Sequence, residues 1–537
     1  MNMFLFFLLL GLLAGALHGT PLTLRPHAVI RAETEAAAHA IAEEIGATDV
    51  GALSIPGHYI AEMHPDRPAH PAVVYVTESD VVYTRVQPRP VAPTRSYARS
   101  VDYGADWPNL FTNSRAAQAT GAGVIIVSPD FGADWTHPDL PTVSGPHSWD
   151  VSHPNSTAMP PMQVTHGTSV AAMAVAADNN LCGTGVAPGA TLYPVRLLEP
   201  GVGLTSTHKA EAMLYAPAGH VAVVSNSWGP NDHIPMVNQL DTVLLATFAT
   251  LYARNTTLIF ASGNGREFQD HMALDGYASN RYTIAVGAVG PDGRAAYYTE
   301  SGGVAVSAPS SNKEYGVTAA EPGGLCTDEF GGTSAAAPQI AGMVALMASV
   351  APNLTPTDVL DILVRSAALN MRGVSRIEPM NRNAAGLYYS TLVGFGIPDA
   401  AIAVEMARNR TARWVARDVS TPLSLPHPLA MYGSTTMDAV VAQNGTVVWA
   451  AAVLGMEFGD CSLARVHSVS LMSPSGTIVQ VFEPTGTWTV RSVLQLEMPT
   501  RALHGEHSAG KWTVRLTHTC SPSVLVTDMS RVELQIV

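Results

Sequence analysis

Apolar and polar positions along the chain fall into three regimes. From about Gly121 to Ala407, short apolar runs (Val124–Val127, Val221–Ser225, Leu258–Ser262, Tyr282–Val286) alternate with longer apolar stretches of helical character. That rhythm predicts a parallel α/β sheet. Ahead of it, strand patterns at His27–Arg31, His58–His64, Ala72–Val76 and Val81–Thr84 surround an Ala/Glu-rich helix pattern, Glu33–Ile45, stopped by Gly46. These describe a small α/β unit, followed by a linker carrying Pro88, Pro90 and Pro93. Beyond about Ala412 the helical patterns stop. Short runs at Val447–Ala451, Val466–Met472, Ile478–Phe482, Thr513–Thr517 and Val532–Val537, separated by Gly, Pro and Ser, predict a β-sandwich. No internal repeat is visible.

Two long uncharged runs need separate readings. Met1–Gly19 ends in small residues and reads as a secretory signal peptide, although its first residues lack the usual positive charge, and a short membrane anchor is the alternative. Ser334–Pro352 contains Pro338, Gln339 and Gly342, so a buried core helix fits it better than a membrane span. No span is expected once the signal is removed. With 537 residues, 47% of them hydrophobic and only 13% charged, the chain has room for a large core and about three domains. Its net charge of −14 and lack of any Lys/Arg cluster argue against a nucleic-acid partner. Five glycosylation sequons, at Asn155, Asn255, Asn353, Asn409 and Asn444, and four cysteines suit an oxidising, secretory compartment.

Candidate chemistry concentrates in the middle region. Gly331-Gly332-Thr333-Ser334-Ala335-Ala336-Ala337-Pro338 delivers a serine onto the first turn of the apolar helix, whose positive dipole end points at it. Asp130 sits at the carboxyl end of an apolar strand, His166 opens a small-residue helix, and Asn264 follows another buried strand in Ala261-Ser262-Gly263-Asn264-Gly265. A serine attacking a carbonyl must lose a proton. A neutral imidazole accepts it, a buried carboxylate fixes the imidazole's tautomer, and an amide N–H can stabilise the oxyanion. Each motif alone is weak, but their joint appearance in the order Asp, His, Asn, Ser points to nucleophilic hydrolysis.

On these segments the chain resembles a subtilisin-type serine endopeptidase of the kexin/furin-like (proprotein convertase) branch. The likeness extends through His137-Pro138-Asp139-Leu140 and Asn179-Asn180-Leu181-Cys182-Gly183, a pro-region (Ala28-Val29-Ile30-Arg31, Ile55-Pro56-Gly57-His58-Tyr59), and a C-terminal P domain (Ser473-Pro474-Ser475-Gly476-Thr477, Gly510-Lys511-Trp512-Thr513). It implies a signal peptide over 1–19, an inhibitory pro-domain and linker over 20–99, a subtilisin-like catalytic domain over 100–411 and a β-sandwich P domain over 412–537. Asp232 and Asp275 would line a pocket for a basic P1 residue of a protein or peptide substrate. Asp232, Asp270 and Glu300 would hold a calcium ion, and Asp139 with Asn179 or Asn180, joined by Asp106, a second one. The resemblance also implies that Cys182 pairs with Cys326, which leaves Cys461 with Cys520 as the second pair.

Where the convertases carry acids for a basic P2 residue, this chain has Phe131 and Gln163. Asn238 and either Lys209 or Ala210 stand at positions that contribute to a basic P4 preference. The expected enzyme is therefore a secreted or endomembrane zymogen that reads arginine at P1 with weakened dibasic selectivity. A broad degradative protease and a catalytically silent peptide-binding homologue are the alternatives. In the family it resembles, the mature domain begins a few residues before an Asp and Trp segment, here Asp106-Trp107, which implies self-cleavage after Arg99, with Arg85 as the second choice. Pro129, just before Asp130, removes a ladder donor at the strand's end.

Overall fold

The computed structural model describes residues 107–537 apart from 200–202, 216–219, 233–237, 239, 371–379, 412, 425–431, 459–464, 484–493, 520–523 and 527–529; before residue 107 it describes the backbone of 27–31, 48–52, 58–62, 73–75 and 83–84. Residues 1–78 and 79–537 form two compact units. The first contains an antiparallel sheet in the order Thr48–Ala52, His58–Glu62, His27–Arg31, Val73–Tyr75. Three of these strands match the sequence pattern. Thr48–Ala52 does not, because its Asp and Gly are poor strand formers and give no alternation. The signal run, the helix expected at Glu33–Ile45 and the proline linker lie outside the described residues.

The second unit is built on a seven-stranded sheet whose neighbouring strands are all parallel. Its order is Val306–Pro309, Thr283–Val289, Thr257–Ala261, Val221–Asn226, Ile125–Asp130, Thr191–Arg196, Trp149–Asp150. From the central strand Ile125–Asp130 the chain goes first to one side and then to the other. This leaves a topological switch at the carboxyl ends of Ile125–Asp130 and Val221–Asn226, where crevices form in such sheets. Pro129 faces Val195 in the ladder and the strand continues through it to Asp130. The helix Thr333–Val350 packs against five of the strands, and every residue from Thr333 to Ala348 is buried, so the long apolar run is a core helix. Gly332 precedes it at φ +72°, a conformation open to glycine and strained for other residues.

The C-terminal region forms two antiparallel sheets. One runs Arg417–Pro422, Arg531–Ile536, Val447–Phe458, Leu494–Thr500, with Val524–Val526 also paired to Val447–Phe458. The other runs Tyr432–Val441, Gly510–Thr519, Arg465–Met472, Ile478–Phe482. Trp512 is fully buried, as are Leu471, Val514 and Leu534, so the two sheets enclose a sandwich core as expected.

This sandwich is joined to the parallel-sheet region by buried charge rather than by a loose linker. Arg501, 5% exposed, donates to the carbonyls of Val448, Arg281 and Thr283 at 2.9–3.0 Å. Burial pulls its pKa down to about 10. Asp361, on the helix Pro356–Leu369, accepts from His504 at 3.0 Å and from Arg410 at 2.6 Å. Burial alone would raise its carboxyl, but these hydrogen bonds outweigh it and hold the pKa at about 2. Arg281 pairs with Glu533 at 2.5 Å and Asp418 at 3.3 Å. Beside them Glu497 is pushed up to about 7, by burial first and by Glu533 second.

These two carboxyls bound a pH window. Glu497 is raised in the folded state, so its contribution is fully present below its unfolded value and disappears as pH climbs through about 7. Asp361 is depressed, so its contribution is present above its unfolded value and disappears as pH falls toward about 2. Thermal melts should therefore show maximal stability between about pH 4 and 7. Glu497→Gln, neutral throughout, should flatten the decline on the alkaline side; an unchanged profile in that variant would show that Glu497 does not set it.

Candidate active site

The switch point gathers the four residues singled out by sequence. Asp130 ends the central strand, 1% exposed, and its Oδ1 accepts both the Phe131 backbone N–H and His166 Nδ1 at 2.7 Å. His166 opens its helix at 8% exposure, with Phe131 and Phe330 presenting ring edges at 6.3 and 5.8 Å. Its Nε2 is buried with no hydrogen-bond partner among the described residues. With Nδ1–H given to the carboxylate, Nε2 carries the lone pair that a nucleophile's proton needs.

Ser334, the second residue of its helix, is clasped by Ser227. The Ser334 hydroxyl donates to the Ser227 carbonyl at 3.2 Å, and the Ser227 hydroxyl donates to the Ser334 carbonyl at 3.1 Å. The second bond exists because Pro338, four residues on, has no N–H to give that carbonyl. Asn264 accepts from the Thr333 N–H at 2.9 Å and the Thr333 hydroxyl at 3.0 Å, so its amide oxygen is fixed on the residue before Ser334. The amide nitrogen is left on the opposite side, 3.4 Å from Asp232 Oδ2. A base with an open nitrogen, a serine hydroxyl held by a strand-end carbonyl, and a pinned amide donor are the groups that acyl transfer needs.

Residues 121–396 match the Subtilase family (Peptidase S8). The chain belongs to that family. Among curated relatives, a PC3-like endoprotease variant from Hydra vulgaris is 27% identical over 89% of this chain and 72% of its own length. Neuroendocrine convertase 2 from Bos taurus is 29% identical over 74% of this chain and 65% of its own length. The dibasic-processing endoprotease of Schizosaccharomyces pombe is 33% identical over 54% and 41%. These likenesses put the subtilase in the kexin/furin-like branch. The chain thus spans only part of the longer relatives. Among solved structures, the serine protease of Aeromonas sobria superposes with a TM-score of 0.67 at 19% identity, covering 78% of this chain and 89% of that one, which supports the same fold. The subtilase is a serine endopeptidase acting on protein substrates.

The acidic residues fall into three places. Asp232, Asp270 and Glu300 each bring an oxygen within 4.8 Å of the others. The loop between them is shaped for this. A Cβ on Gly263, at φ +108°, would sit 2.2 Å from Glu300 Oε1, and Gly265 donates its N–H to that same oxygen at 2.9 Å. Three hard oxygen donors around a space that side chains would fill fit a Ca²⁺ ion. Asp275 is not part of that group. It is 5% exposed in the turn Asp275–Tyr277, with Oδ1 accepting the Tyr277 N–H at 2.9 Å and its backbone bridged to Asn238. Asp139 is fully buried, and among the described residues neither carboxylate oxygen has a close hydrogen-bond partner. Burial raises its pKa, opposed in smaller measure by His137, Asn179 and the Cys182 backbone. A buried carboxylate left this way, beside exposed Asn179 and Asn180, fits a second hard cation. Asp106 lies outside the described residues.

Of Lys209 and Ala210, both buried on the helix Ser206–Leu214, it is Lys209 that carries a polar end. It is fully buried, with Nζ donating to the Tyr277 hydroxyl at 3.0 Å, while Ala210 has no polar group to offer. Gln163 is exposed and Phe131 partly so. The roles of Ser227, Phe330 and Tyr277 were not read from sequence. For Ser227 a signal existed: the apolar strand Val221–Asn226 runs straight into Ser-Trp-Gly at the level where Asp130 leaves its own strand.

Cys182 and Cys326 form a disulfide, and His137 Nε2 bonds Leu325 O at 2.9 Å beside it. Together they tie the Asp139–Asn179 region to the strand that leads into Gly331–Ser334. Cys461 and Cys520 lie outside the described residues. The bridge closes a loop of 144 residues, so chain-entropy reasoning gives Cys182→Ala/Cys326→Ala a loss of about 4–5 kcal/mol. The expected readout is a lower melting temperature, reproduced in the wild-type enzyme by reductant; equal melts would sink the estimate.

Proposed function

We propose that this subtilase is a secretory-pathway endopeptidase, made as a zymogen with its own pro-domain as inhibitor, that cleaves proteins after arginine and no longer demands a second basic residue at P2. The observation that carries the reading is the Asp130–His166 pair at 2.7 Å with Nε2 open, next to a serine whose hydroxyl is held by a neighbouring carbonyl. Ser334 is the nucleophile, His166 the general base and then acid, and Asp130 fixes its tautomer. Asn264 donates to the oxyanion. Asp275 and Asp232 receive the P1 guanidinium, a cation whose fork geometry suits carboxylates. Phe131 and Gln163 offer no charge to a P2 lysine, and a charge left without its partner in a closed site costs a few kcal/mol.

Calcium, bound by Asp232, Asp270 and Glu300 and at a second site by Asp139 with Asn179, offsets the mutual repulsion of these carboxylates. The signal over 1–19, pro-region and linker over 20–99, catalytic domain over 100–411 and P domain over 412–537 complete the reading. The five sequon asparagines are exposed or partly exposed, in keeping with a glycoprotein. A silent peptide-binding homologue is disfavoured by the retention of Asp130, His166, Asn264 and Ser334 together.

A fluorophosphonate probe should label the wild-type enzyme and not Ser334→Ala, which should lose peptide hydrolysis by on the order of 10⁶. Asn264→Ala should still label, with kcat lowered on the order of 10²–10³. A peptide library should return arginine at P1 with no basic preference at P2, and an apolar P1 would favour the degradative reading instead. Chelation should lower both activity and melting temperature, with recovery on adding Ca²⁺; indifference to chelator would refute the calcium assignment.

A further inference from the structure

The amide assigned to the oxyanion also borders a carboxylate. Asn264 is 2% exposed, and its Oδ1 is held by both the N–H and the hydroxyl of Thr333, which fixes the orientation of the side chain. That leaves Nδ2 3.4 Å from Asp232 Oδ2. The two loops pack closely here: a Cβ on Gly265 would lie 2.3 Å from the Asp232 carbonyl oxygen, an approach that only glycine permits. Negative charge accumulates on this side of Asn264, since Asp270 and Glu300 each bring an oxygen within 4.8 Å of that of Asp232. A single Ca²⁺ ion would leave these three carboxylates one positive charge short.

In acylation Ser334 Oγ bonds the substrate's carbonyl carbon, its proton passes to His166 Nε2, and the carbonyl oxygen takes up the displaced electron pair as a negative charge. With Asn264 Nδ2 meeting that charge, one nitrogen stands between two anions. Asp232 then opposes the transition state inside a water-poor cleft, where like charges repel more strongly than in solution. A cation placed on Asp232 relieves the opposition. We propose that Asp232 makes acylation conditional on a positively charged P1 side chain: the P1 guanidinium neutralises Asp232, and this strengthens the hold of Asn264 on the oxyanion. The P1 charge is then read in kcat and not in KM alone, so a neutral residue that fits the pocket is bound without being cut efficiently. The inference rests on the P1 reading above, and in it Asp232 acts on the reacting atoms through Asn264.

The test compares two peptide amides that differ only at P1, one with arginine and one with citrulline, its neutral near-isostere, on wild type, Asp232→Asn and Asn264→Ala. Acylation rates at saturating peptide are separated from KM. Wild type should acylate on the citrulline peptide about tenfold or more slowly than on the arginine peptide. Asp232→Asn removes the charge and Asn264→Ala removes the group that relays it, so each should narrow that gap to about twofold, whatever it does to the absolute rates. A loss of stability alone would slow both peptides alike and leave the gap as it was. A wild-type difference confined to KM, or a rate gap that persists in Asn264→Ala, overturns the proposal. If Asp232→Asn fails to fold, the Asn264→Ala comparison decides on its own. A wild-type enzyme that cuts neither peptide but cuts one with an apolar P1 residue instead overturns the P1 reading itself.

Discussion

The site depends on the reciprocal pair of hydrogen bonds between Ser227 and Ser334. A helix N-terminus and a strand end, far apart in sequence, are locked in register by two contacts of 3.1 and 3.2 Å. Pro338 makes this possible by leaving the Ser334 carbonyl without its helical donor. What would be a defect in an ordinary helix becomes an attachment point. The clasp sets the depth of the nucleophile in the cleft and the height of the strand Trp228–Gly229, against which a substrate backbone aligns. Asn264 reinforces the geometry by gripping Thr333, so the ends of two neighbouring strands are referred to one turn of helix.

The rest of the second unit holds that edge still. Phe482 of the C-terminal sandwich lies against His271 at 5.1 Å, next to Asp270 of the acidic group. Arg501 reaches three backbone carbonyls, two of them at the start of the strand Thr283–Val289. Because a buried guanidinium left without acceptors is costly, these contacts fix orientation more sharply than apolar packing alone would. The sandwich therefore acts on the cleft through the loop between Asp270 and Arg281, which it touches at both ends.

Sequence alone revealed the parts of the site that are local. A strand ending in Asp130, helices opening on His166 and Ser334, and a Gly-Asn-Gly turn at Asn264 each leave a pattern within a few residues. The run Ala335–Val350 could be read as a core helix because polar Gln339 and Pro338 interrupt it. Relations between distant segments left no such pattern. The clasp joins residues 107 positions apart, and Arg501 bonds backbone atoms, which any residue would supply. The strand Val447–Phe458 was seen only to Ala451, since alanines and Gly455 carry little strand signal. Register was equally hidden: a strand of two residues such as Tyr83–Thr84 has no alternation to read, and only its pairing with Trp228–Gly229 places it.

The position of Arg531–Ile536 in its sheet has a temporal meaning. This strand lies between Arg417–Pro422 and Val447–Phe458, so neither neighbour has its full complement of backbone partners until residue 536 has been synthesised. Arg281, at the foot of the strand that Arg501 also grips, waits for Glu533 from the same segment. A nascent chain thus carries its serine, histidine and aspartate long before it can brace them.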